Sequence, residues 1–372
     1  METVPVIMKS KDKFGVQYSK CLIAYSWFEM ARVRIIPKRS KDSSGDTYYS
    51  ECKMMEHVLK KLFYYKCFTG DRNQKLRYCQ FNLEKNEFSP ENSNHLFYII
   101  NERLFYEMIT PHCDEKYLTR CYVHKKLPHD PPVLILGRIK NYVNLKITLD
   151  EDHLKLCMKI LAYFHADMMR LKHEDYMLFN KFCKKLYGMS DSRCELKISI
   201  REFMEKLDER DLGNNLLEKV KRKCKKYLDN LKNVMTDDFS TIIHGHFVRS
   251  KVMFKYKDDK PFNIKIVGWC TVKRGPPSFD FGSILLTNLP AVTNAAELET
   301  FYRKMLQFYL DNFTDRYSTL PIRRDDLEQN IIEKLLFSYI NHHYAISYHM
   351  NYDRFNMHKM VLEMFDKLGS LN

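Results

Sequence analysis

Glycine and proline are scarce in this chain, 11 and 12 among 372 residues, and tryptophan occurs twice. That scarcity excludes collagen-like, low-complexity and linker-dominated architectures, which need far more of these turn residues. No stretch reaches the roughly 18 to 20 uninterrupted apolar residues that cross a bilayer, so no transmembrane segment is read. The opening METVPVIMKS has no apolar run followed by small residues, so no secretory leader is expected and the chain is read as intracellular and cytoplasmic. The 11 cysteines are odd in number and form no CxxC pair. Zinc-cluster spacing and a paired disulfide framework are therefore unsupported, and reduced thiols are expected.

The rest of the composition is that of a folded protein, 45% hydrophobic and 13% aromatic. Its length exceeds the usual single domain, so two domains with a substantial core are expected. Sixty-one Lys and Arg against 47 Asp and Glu give a formal charge of +14, which suits nucleic acid, anionic membrane or acidic metabolites without choosing among them.

Patterning divides the chain near residue 138. Before it, GVQYSKCLIAY from Gly15 and ARVRIIPK from Ala31 alternate like strands, and Met54, Val58, Leu59 and Leu62 recur at helical spacing over Tyr48 to Phe63, with Glu51 in the first turns. HLFYIINERLFYEM and PPVLILGRI read as further buried strands, so residues 1–138 are expected to form an antiparallel sheet carrying one main helix. Residues 139–372 read as mainly helical. Leu154, Cys157, Leu161, Phe164 and Met168 share one helical face, and more helices follow in MLFNKFCKKLYG, IREFMEKL and NNLLEKVKRKCKKYLDNLKNVM. A strand insert at 241–270 carries TIIHGHFVRSKVMFKY, with a hairpin across KDDKP to NIKIVGW, before three terminal helices.

The order of VRIIP, YxxExxMM (48–55), LILxxI, LAYFHA (161–166), HGHFVRSKVMFKY (244–256), IVGW and SFDFG (278–282) resembles the ecdysteroid kinase-like, or CHK kinase-like, family, within the aminoglycoside and choline phosphotransferase division of the protein-kinase-like fold. The resemblance implies a bilobal α+β molecule, with a sheet-rich N-lobe and a helical C-lobe. It also implies transfer of the terminal phosphate of ATP to a small-molecule hydroxyl. Such chemistry needs a carboxylate at the acceptor hydroxyl, an amide and a second carboxylate on magnesium, and a basic residue on the nucleotide.

Against the family's pattern, HGD followed by Asn-Asn, the Asp position here is His246 and the pair is Ser250 and Lys251. The metal-binding Asp falls at Gly268, the nucleotide Lys at Arg34, its helical Glu partner at Glu51, and the hinge Glu-Asp at Gly137 and Arg138. Magnesium takes hard oxygen ligands, which neither a glycine nor an ammonium supplies. The expectation is a pseudokinase with no catalytic residues and no cofactor, acting by binding an unidentified protein or small-molecule ligand. Arg34, Glu51 and Lys251 are the ligand or anion candidates. Gly15, His165, His244, Gly245 and Asp280 are read as structural, with Asp280 capping a helix start. His244 and His246 lack a third ligand, so no metal site is read.

Two alternatives stand beside this. One is an unconventional small-molecule phosphotransferase using ATP and magnesium, with His246 as base and a displaced metal ligand. The other is a basic, nucleic-acid-associated scaffold, in which Lys221, Arg222, Lys225 and Lys226 of KVKRKCKK meet a polyanion. The plainer reading of that run is a solvated helix face.

Overall fold

The computed structural model describes residues 6–11, 17–22, 48–53, 64–69, 100–119, 121–123, 135–136, 139, 141–145, 147–186, 189–207, 212–318, 321–349 and 354–372. The chain divides into two compact units. The first takes Met1–Ile109 and Thr119–Lys140, the second Thr110–Leu118 and Asn141–Asn372.

The described part of the first unit holds three antiparallel hairpins and a helix. β1 (Val6–Lys11) pairs with β2 (Gln17–Leu22), β3 (Tyr48–Lys53) with β4 (Tyr64–Thr69), and β5 (Cys121–Val123) with β6 (Ile135–Leu136). Two expectations fail here. Glu51 lies in strand β3 opposite Lys66 rather than in a helix. YYSECK and YYKCFT pair residue for residue, with two aromatic residues in the first and three in the second, which suits a pleated surface better than a helix. NERLFYEM, read as a strand, is helical over residues 100–108 (α1). Asn101, Glu102, Leu104, Phe105 and Tyr106 are all buried, and a short segment covered on so many sides loses the 3.6-residue signal. Gly15, Arg34, Gly137 and Arg138 lie outside the described residues, as do Met54, Val58, Leu59 and Leu62.

In the second unit, α2 (Glu151–Glu174) starts where Asp150 accepts a hydrogen bond from the His153 N–H at 3.0 Å. Acids in its first turn and Lys172 and His173 in its last oppose the helix dipole. The five apolar positions expected on one face are all buried, together with Met158, Ala162, Met169 and Leu171. Each such large side chain contributes about 1.5–3 kcal/mol relative to exposure. Then follow α3 (Tyr176–Lys185), α4 (Met189–Glu205), α5 (Asn214–Asp229) and α6 (Leu231–Thr236).

The strand insert forms two small sheets. β7 (Thr241–Ile243) pairs antiparallel with β10 (Lys273–Gly275), and β8 (Val252–Lys257) with β9 (Lys260–Ile266). The hairpin turns on Asp258 and Asp259 at φ 51° and 59°, the left-handed pair that suits the twist of a two-residue hairpin. The chain continues into α7 (Ser278–Leu286), buried at every residue, then α8 (Ala295–Arg316), α9 (Arg324–Glu333), α10 (Leu335–His349) and α11 (Arg354–Lys367). Four helices rather than the expected three therefore close the chain, because the run Leu327 to Ile340 is divided at Lys334.

Segment Thr110–Leu118 joins this unit by main-chain and side-chain bonds. The Tyr117 carbonyl accepts from the Ile266 N–H at 2.8 Å, and Lys265 Nζ donates to the carbonyls of Glu115 and Leu118. The Tyr117 hydroxyl donates to the buried Asp167 carboxylate at 3.0 Å, which also receives Arg170 and a bidentate Arg316.

Candidate functional site: the histidine turn

The HGH turn between β7 and β8 is held from below by one carboxylate. Asp280, in the first turn of α7 and fully buried, accepts the His244 N–H on Oδ2 at 2.6 Å and the Gly245 N–H on Oδ1 at 2.9 Å. His165, from the middle of α2, faces the same Oδ2 through Nε2 at 3.3 Å, while its Nδ1 meets the Tyr309 hydroxyl at 2.8 Å. Burial alone would raise the carboxyl pKa, but the His165 hydrogen bond and the neighbouring histidines and amide hold it below the usual value. Asp280 therefore does not cap its own helix, as expected from its place near a helix start. α7 has no side-chain cap, and the carboxylate serves the turn instead.

The histidines have separate settings. His244 Nε2 lies 3.2 Å from the Val267 carbonyl, an acceptor only, so this nitrogen carries the proton; Nδ1 accepts from the His246 N–H at 3.4 Å. Burial lowers the His244 pKa to about 4. His246 stacks on His342 with ring centroids 6.2 Å apart. Burial first, then the charges of His342 and Lys251, push the His246 pKa well below the ordinary value. His342, from α10, is also lowered to about 4 by burial.

A pH dependence follows. Unfolded, His244 and His342 take up protons near pH 6.5; folded, they do so only near pH 4. The unfolded state therefore binds more protons between these values, so stability is complete above about pH 6.5 and falls as pH drops toward 4. At about 1.4 kcal/mol per pH unit, the loss is on the order of 3 kcal/mol for each ring. Urea midpoints compared at pH 7.5 and pH 5 should show it, with a shallower slope in His342→Gln. Equal slopes for the two proteins would remove His342 from this account.

Two glycines shape the loop ends. Gly245 sits at φ 81°, and a methyl group there would stand 2.2 Å from the Thr271 carbonyl oxygen, while the Thr271 hydroxyl donates to the His244 carbonyl. Gly268, at φ 77° and ψ 55°, ends the run from β9, and the Val267 N–H donates to the Lys251 carbonyl at 2.9 Å. A methyl group on Gly268 would lie 3.1 Å from Lys251 Cδ and 3.2 Å from its Nζ. The backbone thus brings the Lys251 and Gly268 positions together, with an ammonium lying where a side chain on residue 268 would begin. Lys273 approaches Gly245 from the other side, its Nζ 4.4 Å from the centre of the Phe279 ring.

Several features lie away from the turn. A cavity of about 440 Å³ is lined in part by Cys113, Asp114, Asp167, Arg170, Glu174 and Arg316; its buried carboxylate is already paired with both guanidiniums. In α5, Lys219 pairs with Asp366 and the buried Lys223 with Glu333, so these two basic residues serve packing. Arg222, Lys225 and Lys226 are exposed and Lys221 half-buried. Cys113, Cys121, Cys157, Cys183, Cys224 and Cys270 are in no disulfide. Among the described residues no helix is long and apolar enough to cross a membrane, and no three His, Cys, Asp or Glu gather as for a metal. Glu102, the buried helical acid of α1, was missed by sequence reasoning, which took its segment for a strand; the signal available was the Asn-Glu-Arg run interrupting the apolar residues.

The model of the ecdysteroid kinase-like family matches residues 72–321, both histidines, Lys251, Gly268 and Asp280 included. The chain belongs to the ecdysteroid kinase-like family. None of the curated proteins matches this ecdysteroid kinase-like chain. Among solved structures it is similar to the GDP complex of aminoglycoside 2'-phosphotransferase-IIIa (13% identity, 86% of this chain and 92% of that one, TM-score 0.41). It is also similar to a macrolide 2'-phosphotransferase from Brachybacterium faecium (10%, 83% and 93%, 0.42) and to a Plasmodium vivax ethanolamine kinase (11%, 88% and 83%, 0.41).

Proposed function

We propose that this ecdysteroid kinase-like protein is a pseudokinase, binding a ligand or partner without transferring phosphate, on a two-lobed frame with a sheet-rich first lobe and a helical second. The observation that carries the reading is the contact of Lys251 with Gly268. At the two positions where the family pattern places an amide and a carboxylate for magnesium, this chain has an ammonium against a bare backbone. That pair does not fit a divalent cation, since it offers no side-chain oxygen and repels positive charge. His246 retains a lone pair, but burial and basic neighbours keep it a weak base, which argues against the unconventional kinase.

Labelled phosphoryl transfer from ATP to a broad panel of hydroxyl acceptors, with magnesium or manganese, should show no multiple turnover. Metal-dependent turnover that vanishes in a folded variant carrying His246→Ala and Lys251→Ala would defeat the proposal. Conversely, His246→Asp, Lys251→Asn and Gly268→Asp together should raise magnesium-dependent ATP affinity. Asp tolerates the left-handed backbone at position 268 better than most side chains do.

A further inference from the structure

We infer that the histidine turn binds a phosphate-class anion directly, with the Lys251 ammonium standing in for a metal ion. The inference rests on the pseudokinase reading above and adds the chemistry of what is bound. Lys251 is half-buried, and its ammonium has no carboxylate or hydrogen-bond acceptor among the described residues. A cation partly withdrawn from water without an acceptor is unfavourable, and an anionic oxygen restores the missing charge-assisted bond.

The nearby carboxylate does not supply that partner. Asp280 is fully buried beneath the turn and already faces the amides of His244 and Gly245 and the ring of His165. Among the described residues the charge field of Lys251 reaches His244 and His246 on the turn, and His246 in turn has His342 stacked on it and Lys273 nearby, all of them basic or neutral. Gly268, itself half-buried, carries no side chain beside Nζ, so residue 268 places nothing between the ammonium and a ligand. The sign of charge at this turn is thus opposite to that of a metal-holding loop. A phosphate oxygen suits it because it brings concentrated negative charge and several lone pairs to a compact point charge.

The distinguishing consequence is the direction of the magnesium effect. A metal-loaded polyphosphate presents a cation to an ammonium, so magnesium should weaken binding rather than strengthen it. Calorimetric titration of the full chain with inorganic tripolyphosphate and, separately, ATP should show binding in chelator that falls about fivefold or more in saturating magnesium. Lys251→Gln, which keeps the stem and removes the charge, should lose about tenfold for both probes while its melting temperature stays near that of the parent. Tighter binding of ATP than of tripolyphosphate would assign a nucleotide; equal binding would assign the phosphate chain alone. No binding in chelator, strengthening by magnesium, or unchanged affinity in Lys251→Gln would overturn the inference. Phosphoryl transfer is scored separately: turnover sinks the pseudokinase reading, whereas absent turnover with absent anion binding sinks only this one.

Discussion

Asp280→Ala should destabilise the second unit by about 3–5 kcal/mol, the usual result of removing one partner from a buried charged network. The substitution strips acceptors from two backbone N–H groups, His244 and Gly245, and from the His165 ring, all buried where water cannot replace the carboxylate. Asp280→Asn keeps the volume but offers one acceptor oxygen, so its amide must turn a donor toward one of those donors. Its loss should be smaller, about 2–3 kcal/mol. Urea denaturation followed by tryptophan fluorescence is a direct measure, because Trp269 packs 4.8 Å from the His244 ring. A shift under about 1 kcal/mol for Asp280→Ala would mean that the turn does not depend on this carboxylate.

The second large effect is expected at Gly245. Alanine there must adopt φ 81° and place its methyl 2.2 Å from the Thr271 carbonyl oxygen. The backbone term costs about 1–2 kcal/mol. The clash is with main chain, which cannot rotate away, so the total should exceed about 3 kcal/mol. Gly213→Ala is a control without a clash. It also has a positive φ, 74°, but with ψ 151°, a region closed to side chains more strictly than the left-handed helix, and a methyl there meets nothing within 4 Å. A loss at Gly245 no larger than about 2 kcal/mol would show that the Thr271 contact relaxes at little cost.

The second unit was the more legible part of this chain, for physical reasons. α2, α5 and α8 present apolar residues at regular helical intervals against polar faces, and the β8–β9 hairpin announces itself by alternation around KDDKP. α1 defeated the same reasoning because polar Asn101 and Glu102 are buried with Leu104, Phe105 and Tyr106, so polarity does not track exposure along it. Glu51 was misplaced because helical spacing downstream of it was extended backward over a tyrosine-rich strand. At the turn, the motif order located His244, Gly245, Lys251 and Gly268. It could not show that Asp280 turns away from its own helix, since the partners of that carboxylate lie 35 and 36 residues away. Nor could it show that Lys251 lies against Gly268, a contact made only when β8 and β9 pair.

The stapling of Thr110–Leu118 to β9 and Asp167 bears on how this protein can be cut. The chain leaves the first unit at Ile109, lends nine residues to the second, and returns at Thr119 before crossing for good at Asn141. A single scission after Lys140 therefore leaves the first unit complete but divides the second, whose residues 110–118 stay on the other fragment. A C-terminal fragment beginning at Asn141 would forfeit Tyr117, stranding the Ile266 N–H without its acceptor and removing a donor from Asp167. Limited proteolysis between 119 and 140, with both pieces kept in one tube, leaves that staple in place, whereas recombinant dissection at 141 removes it.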